Sequence, residues 1–307
     1  MSKNKGREIA KYVLIVIALA AVYFMAGKLG LSMALFNKSA SPVWPPTGIA
    51  IAAIILLGYR FFPAVFIGAF FVNMVVTPSI PVSLGISLGN TLEALVGAYC
   101  IIKFANGKEA FYKNGTTLRS LLFISIASVV GASIGVGALS LGGFIAQKAW
   151  LVWLTWLIGD AVGGIILVPL ILIFSGKIHY SPKKINYFEL CIAWIVLLAV
   201  LSILFLRVPF EISNAYHFVF ICMFPLIWIA YRSNLKVTVS ALFVTSIIAV
   251  YGTLSGIGVF NEGYSINFSL ILLQFYIAMI SVTILLVTTT ISQHRELEMN
   301  LLKKVKR

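Results

Sequence analysis

The sequence predicts an all-α integral membrane protein of about ten transmembrane helices. Two compositional facts and one pattern carry that reading: of 307 residues 61% are hydrophobic, only 10% are charged, and the basic residues gather in alternate loops. A soluble domain holds roughly 25% charged and about 45–50% apolar residues. No soluble fold of this size could hide so much apolar surface, so the lipid bilayer is the expected solvent for most of the chain.

The apolar runs place spans near 12–28, 46–59, 61–76, 82–102, 119–141, 150–174, 187–206, 217–231, 236–251 and 267–291. Several are shorter than the roughly 20 residues that cross a bilayer, so tilted or broken helices are expected among them. The first run follows a basic N-terminus without a convincing small-residue cleavage site, and reads as a retained span.

The charges order these spans. With the N-terminus inside, 19 basic residues face the cytoplasm and only Lys28, Lys38, Lys148 and Arg207 face out. The inside set includes Lys3, Lys5, Arg7, Lys11, Arg60, Lys103, Arg119, Lys177, Lys183, Lys184, Arg232, Lys236, Arg295, Lys306 and Arg307. That is the positive-inside pattern, and an odd number of spans would spoil it in one half. Both termini are expected in the cytoplasm, and the membrane is the inner one. The formal charge of +14 is then topological, which argues against nucleic acid as a partner. Cys100, Cys191 and Cys222 stand singly inside apolar runs, without disulfide or metal-ligand spacing.

Span 2 begins in Ser41-Pro42-Val43-Trp44-Pro45-Pro46-Thr47-Gly48. Proline lacks an amide donor and restricts the residue before it, so no helix runs ahead of Pro46, whereas Pro46 or Thr47 can open one. Trp44 is thereby held on a stiff extended segment at the outer surface, either as an interfacial anchor or as part of a site. A faint internal repeat accompanies this. Tyr59-Arg60 and Phe71-Val72 share their offset with Tyr231-Arg232 and Phe243-Val244, which makes spans 1–4 and 7–10 candidate parallel repeats flanking spans 5–6.

Acidic residues within spans cost about 2.5–3.5 kcal/mol on insertion scales and normally face protein or water. Glu93 lies mid-span in span 4 and Asp160 mid-span in span 6. Gly85, Gly89 and Glu93 fall on one helix face, with Asn90 a turn outward; Trp153, Trp156 and Asp160 share a face of span 6. Gly-xxx-Gly recurs at Gly85/Gly89, Gly131/Gly135 and Gly159/Gly163, permitting close backbone approach. Asn73 lies near the outer end of span 3. From span direction, Trp44, Pro45, Pro46, Thr47, Asn73, Asn90, Glu93, Trp153, Trp156 and Asp160 are expected to converge on a pocket in the outer half of the membrane, with the carboxylates at its floor. The plainer alternative is that both acids only bond to neighbouring helices.

Other polar residues point less clearly. Gln274 in span 10 suits an interhelical hydrogen bond. His179, His217 and His294 are far apart, so no metal site is expected. Phosphate-binding, dinucleotide and HExxH motifs are absent, and no enzyme activity or cofactor is expected. From Ile291 to Arg307 the run continues without Gly or Pro and keeps near-helical apolar spacing at Leu297, Leu301 and Val305, as a helix leaving the membrane would. Residues 1–291 therefore read as the membrane domain and 292–307 as a cytoplasmic exit helix, serving as a basic anchor or as a signalling linker.

These residues also resemble a known family, the bacterial membrane-associated sensor domains of the first type (MASE1). The matching stretches are Ser41–Arg60 (SPVWPPTGIAIAAIILLGYR), Gly68–Asn73 (GAFFVN), Gly89–Tyr99 (GNTLEALVGAY), Trp153–Pro169 (WLTWLIGDAVGGIILVP) and Phe224–Arg232 (FPLIWIAYR), followed by Tyr251-Gly252-Thr253 and Leu272-Leu273-Gln274. The resemblance implies a sensory input domain that precedes histidine kinase, PAS or diguanylate cyclase modules, hence two-component or cyclic-di-GMP signalling. This chain stops where such a module would begin, which suggests a truncated sensor or one working in trans. The expected partners are a small-molecule ligand, a histidine kinase or diguanylate cyclase module in cis or in trans, and, left open, a second copy of the chain. The rival reading is a small-molecule transporter or substrate-binding membrane subunit, which mid-span acids, proline-broken helices and a repeat would also suit. A membrane-embedded enzyme ranks third, since no nucleophile or metal set accompanies the acids.

Overall fold

The computed structural model describes residues 2–32, 43–145, 149–176, 185–207, 215–261 and 266–305. Lys38, Ser41, Pro42, Lys148, Lys177, His179, Lys183, Lys184, Lys306 and Arg307, which entered the reading above, lie outside them. Among the described residues there is no strand, and ten α-helices follow the predicted order: α1 Ser2–Ser32, α2 Pro45–Leu57, α3 Phe62–Val76, α4 Ile80–Phe104, α5 Asn114–Leu141, α6 Ala149–Ser175, α7 Tyr187–Leu201, α8 Met223–Arg232, α9 Leu235–Leu254 and α10 Ile266–Val305. Eight helical stretches are long and apolar enough to cross a membrane, while Pro45–Leu57 and His217–Arg232 are shorter apolar helices. The chain is an all-α integral membrane protein.

Proline sets several boundaries. Helix α2 begins at Pro45, one residue ahead of the expected start at Pro46 or Thr47, and Pro63 lies in the first turn of α3; in a first turn the missing amide costs nothing. Span 8 departs from a simple helix for the same reason. The Pro225 ring would clash with the carbonyl four residues earlier, and the chain from Ala215 to Cys222 winds as a tighter 3₁₀ helix before α8 begins. At the other end, α10 is one helix of 40 residues. At 1.5 Å per residue that is about 60 Å, roughly twice the hydrocarbon thickness. The exit helix foreseen at 292–307 is thus continuous with the last span as far as Val305.

The chain forms two compact units, one of residues 1–100 and 123–164 and the other of 101–122 and 165–307. In the first, α1 packs along α3, and a methyl group at Gly68 would meet the Ala20 carbonyl at 2.8 Å. Helix α4 approaches α5 as closely: a Cβ on Gly85 would stand 2.7 Å from Ala138 Cβ, and one on Gly89 3.2 Å from the Gly131 carbonyl. The face that Gly85, Gly89 and Glu93 share is therefore the one seated on α5.

In the second unit α10 packs on α8 and α9. Buried Phe205, Phe260 and Tyr276 stack at centroid distances of 5.6–5.9 Å. Polar clamps hold one end. Glu189 of α7 accepts from the Trp228 indole at 2.9 Å and pairs with Arg232 at 2.6 Å, binding α7 to α8. On α10, Arg295 donates to the Tyr231 carbonyl and lies over the Tyr231 ring at 5.3 Å. The first residue of α5 completes the set: Asn114 donates its backbone N–H to Gln293 Oε1 and its Nδ2 to Thr290 Oγ1, both at 2.9 Å. These residues grip α10 at Thr290–Arg295, where its apolar stretch gives way to charge.

Glycine contacts give a direct test of this packing. A Cβ on Gly252 would overlap the Phe205 carbonyl, whereas one on Gly137 meets nothing within 4 Å. Gly252→Ala should lower stability by about 1–3 kcal/mol, the usual cost of overpacking, and Gly137→Ala should not lower it. Thermal unfolding of the detergent-purified proteins measures both, and equal midpoints would contradict the α9 packing described.

Candidate functional site

The site grows from the start of α2. Trp44 is not part of the helix: it has extended backbone, with φ −110° and ψ 88°, as the proline after it requires. Its N–H donates to the Gly159 carbonyl of α6 at 3.0 Å, and its own carbonyl lies against Gly163, where any Cβ would collide with it. The Gly159/Gly163 pair is thus a socket for the Trp44 peptide. The Trp44 ring rests on α1 at Gly30, where a Cβ would come within 2.8 Å.

This anchoring delivers Thr47, on the first turn of α2, between the two acids. Thr47 Oγ1 is 3.3 Å from Glu93 Oε2 of α4 and 3.4 Å from Asp160 Oδ1 of α6. All three are buried, with Glu93 only 1% and Asp160 5% exposed. A hydroxyl has one proton, so Thr47 can donate to one carboxylate at a time, and both distances are longer than the usual O–H···O bond of about 2.5–3.0 Å. The N-terminus of α2 adds its partial positive charge to the same spot. Among the described residues no salt bridge reaches either acid, and Glu93 Oε1 is buried without a hydrogen-bond partner. The glycines of α5 make room: a Cβ at Gly131 would stand 2.6 Å from Glu93 Oε2, and one at Gly135 would overlap the Trp156 ring.

Beside Asp160 lies a cavity of about 20 Å³, lined by Leu31, Trp44, Asn73, Ile86, Asn90, Trp156 and Asp160. Of the ten residues expected to converge, Trp44, Asn73, Asn90, Trp156 and Asp160 line this cavity. Thr47 joins Asp160 to Glu93. Pro45 and Pro46 shape the helix start and do not line the cavity. Trp153 is placed elsewhere: its indole donates to Ser133 Oγ at 3.0 Å, and its ring packs against a cluster that includes Val82 and Leu139. Gln274 is buried in α10, in the other unit.

One residue escaped the sequence reading. Tyr23 of α1 is 1% exposed, and its hydroxyl accepts from Asn90 Nδ2 at 3.0 Å, with the Trp44 side chain as a further hydrogen-bond partner. The available signal was the spacing Tyr23, Gly27, Gly30, which puts a phenol and two glycines on one face of a helix. Gly27 and Gly30 are where α1 receives Trp44.

Fold and site together define a polytopic helical membrane protein with an acid pair and a small polar cavity buried in one of its units. The MASE1 family model matches residues 14–295. The chain belongs to that family, and is a sensory membrane domain. Searches of the curated proteins and of the solved structures each returned no match.

The shared hydroxyl supplies the second test. Thr47→Val keeps the shape but removes the hydroxyl that the two acids share, leaving Glu93 with Ser128, and should cost about 1–3 kcal/mol. Thr47→Ser should restore most of that loss. Unfolding midpoints of the two variants against the parent measure it, and a neutral Thr47→Val would show that the hydroxyl is not what holds the pair.

Proposed function

We propose that this cavity is the input site of the sensor, that it opens on the outer half of the bacterial cytoplasmic membrane, and that α10 carries the signal inward. The single observation that carries the reading is the course of α5. This one helix is bonded at Asn114 to Thr290 and Gln293 of α10 and, further along, seats Glu93 on Gly131. A small ligand that alters the packing of Glu93 and Asp160 changes the seat of α5, and α5 bears on α10 where the last span ends. The signal requires a ligand with different affinity for two arrangements of these helices. With both termini in the cytoplasm, as the basic loops indicate, α10 delivers it to a histidine kinase or diguanylate cyclase module, fused in cis or supplied in trans, with a second copy of the chain as a further partner.

The test is a reporter kinase or cyclase fused after Arg307, assayed across a panel of media. Parent output should vary with medium, Asp160→Asn should abolish the variation, and Asn114→Ala should weaken it while membrane insertion stays intact. Constant output from a well-inserted parent would remove the sensory site. Solute uptake into proteoliposomes would then favour the rival reading, a small-molecule transporter or substrate-binding subunit, which the buried acids also suit.

A further inference from the structure

The cavity has a chemical character of its own. Asn73 directs its Nδ2 to the Ala69 carbonyl at 2.8 Å, and Asn90 directs its Nδ2 to Tyr23 at 3.0 Å. Each amide thus has its nitrogen engaged by the protein, and the carbonyl oxygen is the acceptor it can offer a ligand. Asp160 adds a carboxylate with no salt bridge among the described residues. Trp44 and Trp156 add indole rings. Oxygen acceptors, a carboxyl group and aromatic rings are the surroundings that a small cation prefers, and they offer little to an anion.

A second observation is independent of the acids. Trp156 is 9% exposed, lines the cavity, and among the described residues its buried Nε1–H has no acceptor. A buried donor without a partner calls for an occupant that can accept from it, and a water carried by a cation does so. Size narrows the choice. A water needs about 10–15 Å³ when space is measured for its centre, so about 20 Å³ admits one or two particles of that size. A divalent ion of the magnesium type keeps several waters, for which a cavity of about 20 Å³ is too small.

We propose that the cavity binds a monovalent cation of sodium or ammonium size with one water, held by Asp160, Asn73 and Asn90 and walled by Trp44 and Trp156. The proposal rests on the sensory reading of the same site, and names the class of its ligand. Glu93 stands one hydroxyl away, so an ion on Asp160 competes with Thr47 for that carboxylate and leaves the hydroxyl to Glu93.

Because Trp44 and Trp156 form the walls, tryptophan fluorescence of the purified full chain reports occupancy. Sodium, potassium and ammonium chloride are titrated separately against N-methylglucamine chloride, at constant ionic strength and pH. At least one of the three should give a saturable change and raise the unfolding midpoint. Asn90→Leu should weaken the apparent affinity by about tenfold, and Asp160→Asn should abolish the response. Identical behaviour in all four salts overturns the proposal, as does a response that Asp160→Asn retains. A signal that follows pH but not the identity of the salt also overturns it, and gives the site to a proton. Should Asp160→Asn fail to fold, the salt selectivity of the parent and the Asn90→Leu shift still decide. The reporter fusion separates the two claims: medium-dependent output lost in Asp160→Asn without cation binding sinks the cation and keeps the sensor. Saturable cation binding with output that never varies does the reverse.

Discussion

A buried carboxylate is among the most expensive groups a helical bundle can hold, and the first unit is arranged around two of them. Desolvation costs several kcal/mol per ion in real proteins, and only good partners offset it. The partners here are few: one threonine hydroxyl between Glu93 and Asp160, the Ser128 side chain beside Glu93, and the positive end of α2. For Thr47 to reach both acids, α2 must start at one particular place. The prolines stop the helix from extending backwards, and the bond from Trp44 N–H to Gly159 fixes the segment before it. Remove any of these and the acids lose the donor they share.

Glycine supplies the room for that arrangement. Gly131 lets the Glu93 carboxylate lie directly on α5, Gly135 admits the Trp156 ring, and Gly163 admits the Trp44 carbonyl. In a bilayer, where lipid tails are as apolar as leucine, close backbone approach is one of the few forces that bring helices together. The same glycines therefore serve assembly and site at once. The clamps of the second unit work under different rules. Arg232 is 49% exposed on its side chain, so its pairing with Glu189 is screened by solvent and contributes little to stability. Its role is directional, in that α7, α8 and α10 are tied to one another through Glu189, Arg232, Tyr231 and Arg295.

Much of this was legible in the sequence because membrane helices obey a strong rule: every backbone polar group must be satisfied within the segment. Apolar runs thus located all ten helices, and the proline cluster marked the start of α2. Burial of Glu93 and Asp160 could be expected from their cost alone. What the sequence left open depended on rotation about helix axes. Trp153 and Trp156 are three apart and were placed on one face, yet Trp156 lines the cavity while Trp153 turns to Ser133. A spacing of three leaves about 60° between two side chains, enough to send one of them to another neighbour. Tyr23 was missed for a related reason. A lone tyrosine in an apolar run has no chemical signature until its partner, Asn90, is known. The candidate repeat rests on the offset that Tyr59-Arg60 and Phe71-Val72 share with Tyr231-Arg232 and Phe243-Val244, with Tyr59-Arg60 just after α2 and Tyr231-Arg232 closing α8.

A sensor needs two arrangements of comparable stability, and the hydroxyl of Thr47 offers a physical basis for them. Its distances to Glu93 and Asp160 differ by only 0.1 Å, being 3.3 and 3.4 Å, and neither is short. One proton placed between two such acceptors serves only one of them at a time. Donation to Glu93 would draw the start of α2 toward α4, and donation to Asp160 would draw it toward α6. An occupant of the cavity meets Asp160 but not Glu93, since only Asp160 is in the lining. It therefore interacts differently with the two arrangements, which is the sole means by which a ligand can shift an equilibrium. To move a population from 1:99 to 99:1 takes about 5.5 kcal/mol of such difference. The exchange of one hydrogen bond to a charged group, about 1.5–3 kcal/mol, gives a graded shift instead. A device built on Thr47 alone would accordingly tune the output of the sensor and not switch it fully on or off.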